Sequence, residues 1–144
     1  MSTTEIEKGI IDEFSFFPEW ADKYEYLIEL GKKMKGYPED KRTEENKVKG
    51  CQSSVWLTTE EKDGRIFFKA DSDSTIVKGL IALLTRVLSG QKSEDIIDAK
   101  LEFIDTIGLR QHLAQTRASG LSAMIKQMKM YALGYKIKEE SVNH

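Results

Sequence analysis

The chain has one cysteine, Cys51, in 144 residues. A single cysteine excludes an intramolecular disulfide and fits a reducing cytoplasm. It also excludes a four-cysteine iron–sulfur site within one chain. Histidine is nearly as scarce. His112 and the terminal His144, even with Cys51, fall short of the roughly four ligands of a structural zinc site, so no metal is expected. Charge of one sign is lacking too: 22 Lys and Arg stand against 24 Asp and Glu, for a net charge of -2. Both signs are spread along the chain without a basic stripe, which argues against nucleic acid as a partner. No apolar run approaches the ~18 residues of a membrane span, and no signal-peptide pattern opens the sequence. Repeats and low-complexity segments are absent. These absences leave a cytoplasmic protein with no membrane segment.

At this length one domain over residues 1–144 is expected, with a core large enough to stand without disulfides. Ser2 to Phe14 reads as a helix, with Ser2 and Glu5 at capping-box spacing and Ile6, Ile10, Ile11 and Phe14 on one stripe. After Pro18 a second helix runs to about Lys35, burying Trp20, Tyr24, Leu27, Ile28 and Met34. Glu39 to Lys49 is a charged loop, readable as a solvated connector or as a docking surface. Asp63-Gly64 suits a two-residue type I′ turn between two strands. That turn pairs Val55 with Ser72, Trp56 with Asp71, Leu57 with Ala70, Thr58 with Lys69 and Thr59 with Phe68. A third short strand is expected around Lys47 to Gly50, since two strands alone are marginal.

Thr75 to Ser89 is apolar around most of its circumference and reads as the central helix. Short helices follow near Ser93–Asp98, capped by Ser93, and near Leu101–Gly108. A last amphipathic helix spans Ala118 to Leu133, with Gly134 as its cap and a frayed tail over 135–144. The order predicts an α+β fold, a small antiparallel sheet of about three strands packed against several helices.

The chemistry centres on Val48 to Trp56, VKGCQSSVW. Free cysteine is commonly a small buried hydrophobe. Here the Gly50 turn, the polar flanks and the strand start set Cys51 apart. An ordinary thiol is only a few per cent ionised at pH 7, and thiolate is the nucleophile. Lys47, Lys49, Arg117 or the N-terminus of the central helix would raise that fraction; extending the hairpin register brings Cys51 near Ile76, although Asp71 and Asp73 oppose the effect. A cysteine hydrolase would pair Cys51 with His112, and the spacing neither supports nor excludes that pair. Taken alone, His112 reads as a structural histidine and Arg117 as a surface arginine.

VKGCQSSVW resembles the signature of the SufE family. DSDSTIVKGLIALL (Asp71 to Leu84), LRQHLAQTRASGLSAMI (Leu109 to Ile125) and WADKYEYLIELGKKM (Trp20 to Met34) are similar to further blocks of that family in the same order. The resemblance implies a sulfur-acceptor protein of iron–sulfur cluster assembly, with a fold shared with IscU-type scaffolds. It implies that Cys51 takes persulfide sulfur from a SufS-type cysteine desulfurase, stimulates that enzyme and passes sulfur to a scaffold complex. Pyridoxal phosphate would belong to the desulfurase, so no cofactor is expected in this chain, which is not itself the enzyme. The site neighbourhood or partner contact implied is Gly50, Gln52, Ser53, Asp73, His112 and Arg117. Thr116 departs from the serine commoner in the family. A monomer or a homodimer is expected. The alternative functions are a non-covalent docking module that activates a desulfurase, and a small cysteine hydrolase.

Overall fold

The computed structural model describes residues 1–34 and 36–142. Helix α1 (Thr3–Phe14) opens on the expected capping box: Ser2 Oγ accepts the Glu5 N–H, and the Glu5 carboxylate accepts the Ser2 N–H. Helix α2 (Trp20–Lys32) follows. It ends before Lys35, the expected terminus, which lies outside the described residues. Two short 3₁₀ turns, Glu39–Lys41 and Glu44–Asn46, occupy the charged loop. Strands β1 (Val55–Lys62) and β2 (Arg65–Ser72) form the hairpin in the expected register throughout, from Val55 opposite Ser72 to Lys62 opposite Arg65. Asp63 and Gly64 both take positive φ, 54° and 76°, as the type I′ turn requires.

The third strand is not at Lys47–Gly50. That segment makes one bridge, Lys47 to Trp56. The third strand is β3 (Gln91–Lys92), paired antiparallel to β2 through Ile66 and Arg65, giving the order β1-β2-β3. The cause is the turn at Gly90. With φ of 83° it reverses the chain after the central helix and donates its N–H to the Ile66 carbonyl at 2.7 Å.

Helix α3 (Thr75–Leu88) is the centre of the core. Ile76, Val77, Leu80, Ile81, Leu83, Leu84, Val87 and Leu88 are all buried. Ser74 caps it by accepting the Val77 N–H. Short helices α4 (Ser93–Asp98), α5 (Phe103–Ile107) and α6 (Leu109–His112) come next. Ser93 is the first residue of α4 and not its cap; Lys92 holds that position without a side-chain bond. Helix α7 then runs from Gln115 to Val142. It begins earlier than expected and passes through Gly134 into the segment expected to fray. An interior glycine costs a helix about 1 kcal/mol. Contacts on both sides outweigh that here: Ala132 is fully buried, and the Tyr135 hydroxyl lies 2.9 Å from Thr59 Oγ1 on β1. Asn143 and His144 lie outside the described residues. The described residues thus form an α+β fold of seven helices and one three-stranded antiparallel sheet.

Helices α2 and α3 meet backbone to backbone. A methyl group at Gly79 would overlap the Leu27 carbonyl, and one at Gly31 would sit 2.8 Å from both Gly79 N and Thr75 O. Neither position can carry a side chain without the helices moving apart.

Asp71 is also buried, opposite Trp56 on the hairpin, with only 6% of its surface exposed. The Arg42 guanidinium reaches its Oδ2 at 2.6 Å and the Lys78 ammonium its Oδ1 at 3.5 Å. Arg42 also lies over the rings of Trp56, at 5.3 Å, and Tyr37, at 5.8 Å. The charged loop is therefore anchored to the hairpin through one buried carboxylate.

Four substitutions test this packing. Gly79→Ala gains about 1 kcal/mol of helix propensity and loses about 1–3 kcal/mol or more to overpacking, so urea unfolding should show a net loss. Gly134→Ala, with nothing within 4 Å of the added methyl, should be stabilising by up to about 1 kcal/mol. Arg42→Ala should cost about 1–3 kcal/mol by stripping a buried charge of its closest partner. Adding Asp71→Asn should then recover part of the loss, and no recovery would assign the cost to lost aromatic packing instead.

Candidate functional site

The segment Lys49–Ser54 is an excursion between two clamped ends. At its neck the Val48 N–H donates to the Val55 carbonyl at 2.8 Å, next to the Lys47–Trp56 bridge. The Ser54 carbonyl accepts twice, from Ser72 Oγ at 2.8 Å and from the Asp73 N–H at 3.3 Å. Ser72 is itself buried and also takes the Ser74 N–H. Two successive donors on one carbonyl fix where strand pairing stops and the excursion begins. This break explains why Cys51 does not continue the hairpin register.

The tip lies on the first turns of α7. Gly50 has φ of 90°, a left-handed conformation that favours glycine. A Cβ there would press on the Ala123 side chain at 3.3 Å. Next to it, the Cys51 thiol points at the Gly120 carbonyl, with Sγ 3.6 Å from the oxygen. Gly120 and Ala123 are one helical turn apart and share a face. Their small size lets the Gly50–Cys51 turn come down onto the helix.

Beside the thiol is a cavity of about 270 Å³. Cys51, Gln52 and Ser53 line it from the excursion, Val55 from β1, Val77 from α3, and Ala114, Thr116, Arg117, Gly120 and Met124 from the start of α7 and the residue before it. Cys51 is half-buried. Burial pushes its thiol above the ordinary value, because the ionised form loses solvation. Of the cations expected to activate the thiol, Arg117 lines the cavity with it. Lys47 is paired with Glu44 at 2.8 Å, Lys49 is exposed, and desolvation alone moves the thiol.

Of the remaining expected site residues, Arg117 is at the cavity, with Nη1 donating to the Tyr24 hydroxyl at 3.0 Å. Gln52 and Ser53 are at the cavity as well. Asp73 is exposed, and only its backbone reaches the neck. His112 is exposed on α6 and outside the lining; its ring stacks on Trp20 with centroids 4.8 Å apart, and Nδ1 lies 2.9 Å from the Gly108 carbonyl. Tyr24 in turn packs edge-on to Trp20. His112 is thus joined to the cavity through the α2 aromatics and Arg117, not through Cys51. Sequence reasoning missed Gly120, Ser72, Val77 and Met124. The available sign of Gly120 was a glycine within the small-residue run Ala118-Ser119-Gly120 near the start of a helix.

Among the described residues no group of three or more His, Cys, Asp and Glu side chains is placed to hold a metal ion. No helix among them is long and apolar enough to cross a membrane.

A thiol held up by burial should react slowly. Alkylation of Cys51 by iodoacetamide at pH 7 should be slower than that of an unstructured cysteine peptide, and its pH midpoint should lie above ~8.5. Unfolding in urea should bring the midpoint back to the ordinary value. A folded-state midpoint at or below ~8.5 would mean that a nearby cation outweighs desolvation.

Known proteins resemble this chain over most of its length. An uncharacterized SufE-like protein of Rhizobium meliloti is 46% identical over 131 residues, covering 87% of this chain and 93% of its own length. A second, from Rhizobium etli, is 42% identical over 126 residues, covering 83% and 84%. A third, from Synechocystis, is 34% identical over 128 residues, covering 89% and 80%. The solution structure of a hypothetical protein from Thermus thermophilus superposes with a TM-score of 0.73 over 90% of this chain and 94% of that one; at 20% identity it shares the fold. Residues 8–132 match the SufE model, an Fe-S metabolism associated domain, and the chain therefore belongs to the SufE family.

Proposed function

We propose that this protein is a sulfur acceptor and carrier for iron–sulfur cluster assembly, with Cys51 as the atom-bearing residue. The observation that carries the reading is the sole cysteine of the chain placed beside a cavity of about 270 Å³. A water molecule needs only about 10–15 Å³ of such free volume, so a second sulfur on Sγ has room.

The donor is the persulfide of a SufS-type cysteine desulfurase. Cys51 loses its proton and its thiolate attacks the outer sulfur of that persulfide. The donor's S–S bond breaks, its electron pair leaves with the partner's thiolate, and a new S–S bond forms on Sγ. Sulfur changes hands without net oxidation, so this chain needs no cofactor of its own. The scaffold complex that builds clusters receives the sulfur by the same exchange run onward. On this reading the tip, Gly50 with Gln52 and Ser53, moves to deliver the sulfur, Arg117 lines the cavity beside it, and Asp73 and His112, both exposed, are contacts for the desulfurase.

The lining chemistry favours a carrier over a hydrolase. Besides the thiol, Arg117 is the one titratable side chain among the lining residues, and an arginine stays protonated. No general base therefore lines the cavity, whereas a hydrolase needs one within hydrogen-bond reach of its nucleophile.

Intact mass after incubation with a SufS-type desulfurase, pyridoxal phosphate and L-cysteine, without reductant, tests the proposal. The wild type should gain about one sulfur atom, reversibly with reductant, and Cys51→Ser should gain none and lose stimulation of the enzyme. If Cys51→Ser still stimulates a demonstrably active cognate enzyme, the protein works as a non-covalent docking module.

A further inference from the structure

Among the described residues Arg117 has no carboxylate within ion-pair distance, whereas Arg42, Arg86 and Arg110 each meet one. The Arg117 guanidinium is held instead by a neutral group, the Tyr24 hydroxyl, which accepts from Nη1 at 3.0 Å. A carboxylate in that place would fix the guanidinium equally well and cancel its charge. A phenol fixes it and leaves the charge standing. The phenol is itself fixed from behind: the Tyr24 ring lies edge-on to Trp20, one turn earlier on α2, and Trp20 stacks on His112. An arginine without such a partner spreads over many rotamers.

The cavity beside Arg117 gives that charge something to meet. Val55, Val77 and Met124 make much of its wall apolar, and no carboxylate lines it. Of the other charged groups on the surrounding elements, Lys47 is paired with Glu44, Lys49 and Asp73 are exposed, and Lys23 of α2 reaches the Ile107 carbonyl. Desolvation alone moves the Cys51 thiol, so the charge of Arg117 is not engaged by Sγ itself. A second sulfur would stand about 2 Å beyond Sγ, in the space that the cavity leaves. That sulfur carries charge, because a persulfide ionises more readily than the thiol it grows from. We infer that Tyr24 is a positioning residue for the loaded state, its hydroxyl holding the Arg117 guanidinium at the cavity as the counter-ion of a persulfide anion on Cys51. The inference rests on the carrier reading for its use, though the Tyr24–Arg117 bond does not. It gives the site a preference for the loaded form over the thiol, since opposite charges attract more strongly between apolar walls than in water.

The loading equilibrium of Cys51, measured without any desulfurase, tests this. The protein is equilibrated anaerobically with glutathione persulfide and glutathione at fixed ratios, and the loaded fraction is read by intact mass after rapid alkylation. The Cys51 thiolate attacks the outer sulfur, the glutathione thiolate leaves with the electron pair and takes up the proton that Cys51 lost, and nothing is oxidised. One hydrogen bond corresponds to about a two- to tenfold change in an equilibrium. Tyr24→Phe, which keeps the ring and its packing, should lower the loading constant by about that factor. Arg117→Ala should lower it at least as far, and adding Tyr24→Phe to Arg117→Ala should lower it no further, because Tyr24 acts through the guanidinium. Arg117→Gln takes the place of Arg117→Ala in this cycle if the alanine variant unfolds. Iodoacetamide alkylation of unloaded Cys51 should stay at the wild-type rate in Tyr24→Phe, which a general loosening of the site would not allow. A wild-type loading constant in Tyr24→Phe overturns the inference. So do losses that add in the double variant, an alkylation rate that rises as loading falls, or a wild type that takes no sulfur from excess glutathione persulfide. Failure of the carrier reading would appear separately, as no sulfur taken from the desulfurase while the glutathione persulfide equilibrium keeps its dependence on Tyr24 and Arg117.

Discussion

Helix α3 has almost no side it can turn to water, and the other elements are arranged to cover it. Eight of its apolar side chains are buried, and burying one such side chain is worth about 1.5–3 kcal/mol. No single neighbour can cover a whole helix circumference, so the covering is divided. Helix α2 takes one side at backbone distance through Gly31 and Gly79. The core face of the hairpin, with Val55, Leu57, Phe68 and Ala70, takes another, and Leu121, Met124 and Met128 of α7 belong to the same core. The site follows from this arrangement. The start of β1, the first turns of α3 and the start of α7 all converge at one end of the core, and the cavity is the space left where their side chains do not meet.

What the sequence reveals and what it hides divide by range. The hairpin register is legible because two adjacent residues, Asp63 and Gly64, determine it, and each strand then supplies a period-two pattern with a single consistent inside. The central helix is legible because its apolar residues need no partner to be recognised. The third strand is not: a two-residue strand has no pattern, and β3 exists because Gly90 turns the chain back onto Ile66. The end of α7 is hidden for a related reason. Gly134 is a local stop signal, overruled by Ala132 and Tyr135 packing against other elements. The glycines at 31 and 79 look like helix flaws in one dimension and are the contact surface in three.

The candidate site shows the same division. Cys51 and Gly50 stand out in the sequence because their oddness is local: a lone thiol after a glycine in a polar run. Lys47 and Lys49, two of the cations expected to activate the thiol, stand beside it in sequence. Lys47 spends its charge on Glu44, three residues away on the same short turn. Gly120, whose carbonyl the thiol faces, and Val77, which lines the same cavity, come from helices far along the chain. Asp71 is a similar case. Strand alternation puts it on the outer face, and nothing local says that Arg42, 29 positions earlier, folds over it.

A carrier of reactive sulfur faces opposed demands. Burial protects a persulfide from reductants, and burial also withholds the thiolate needed to form it. In this chain desolvation pushes the thiol above its ordinary value, and Sγ lies 3.6 Å from the Gly120 carbonyl. On the carrier reading, the activation that the site omits has to arrive with the desulfurase, either as charge brought to the mouth of the cavity or as contacts that draw the tip off α7. On that reading low reactivity at rest is the source of selectivity, because the thiol reacts where a partner supplies the activation.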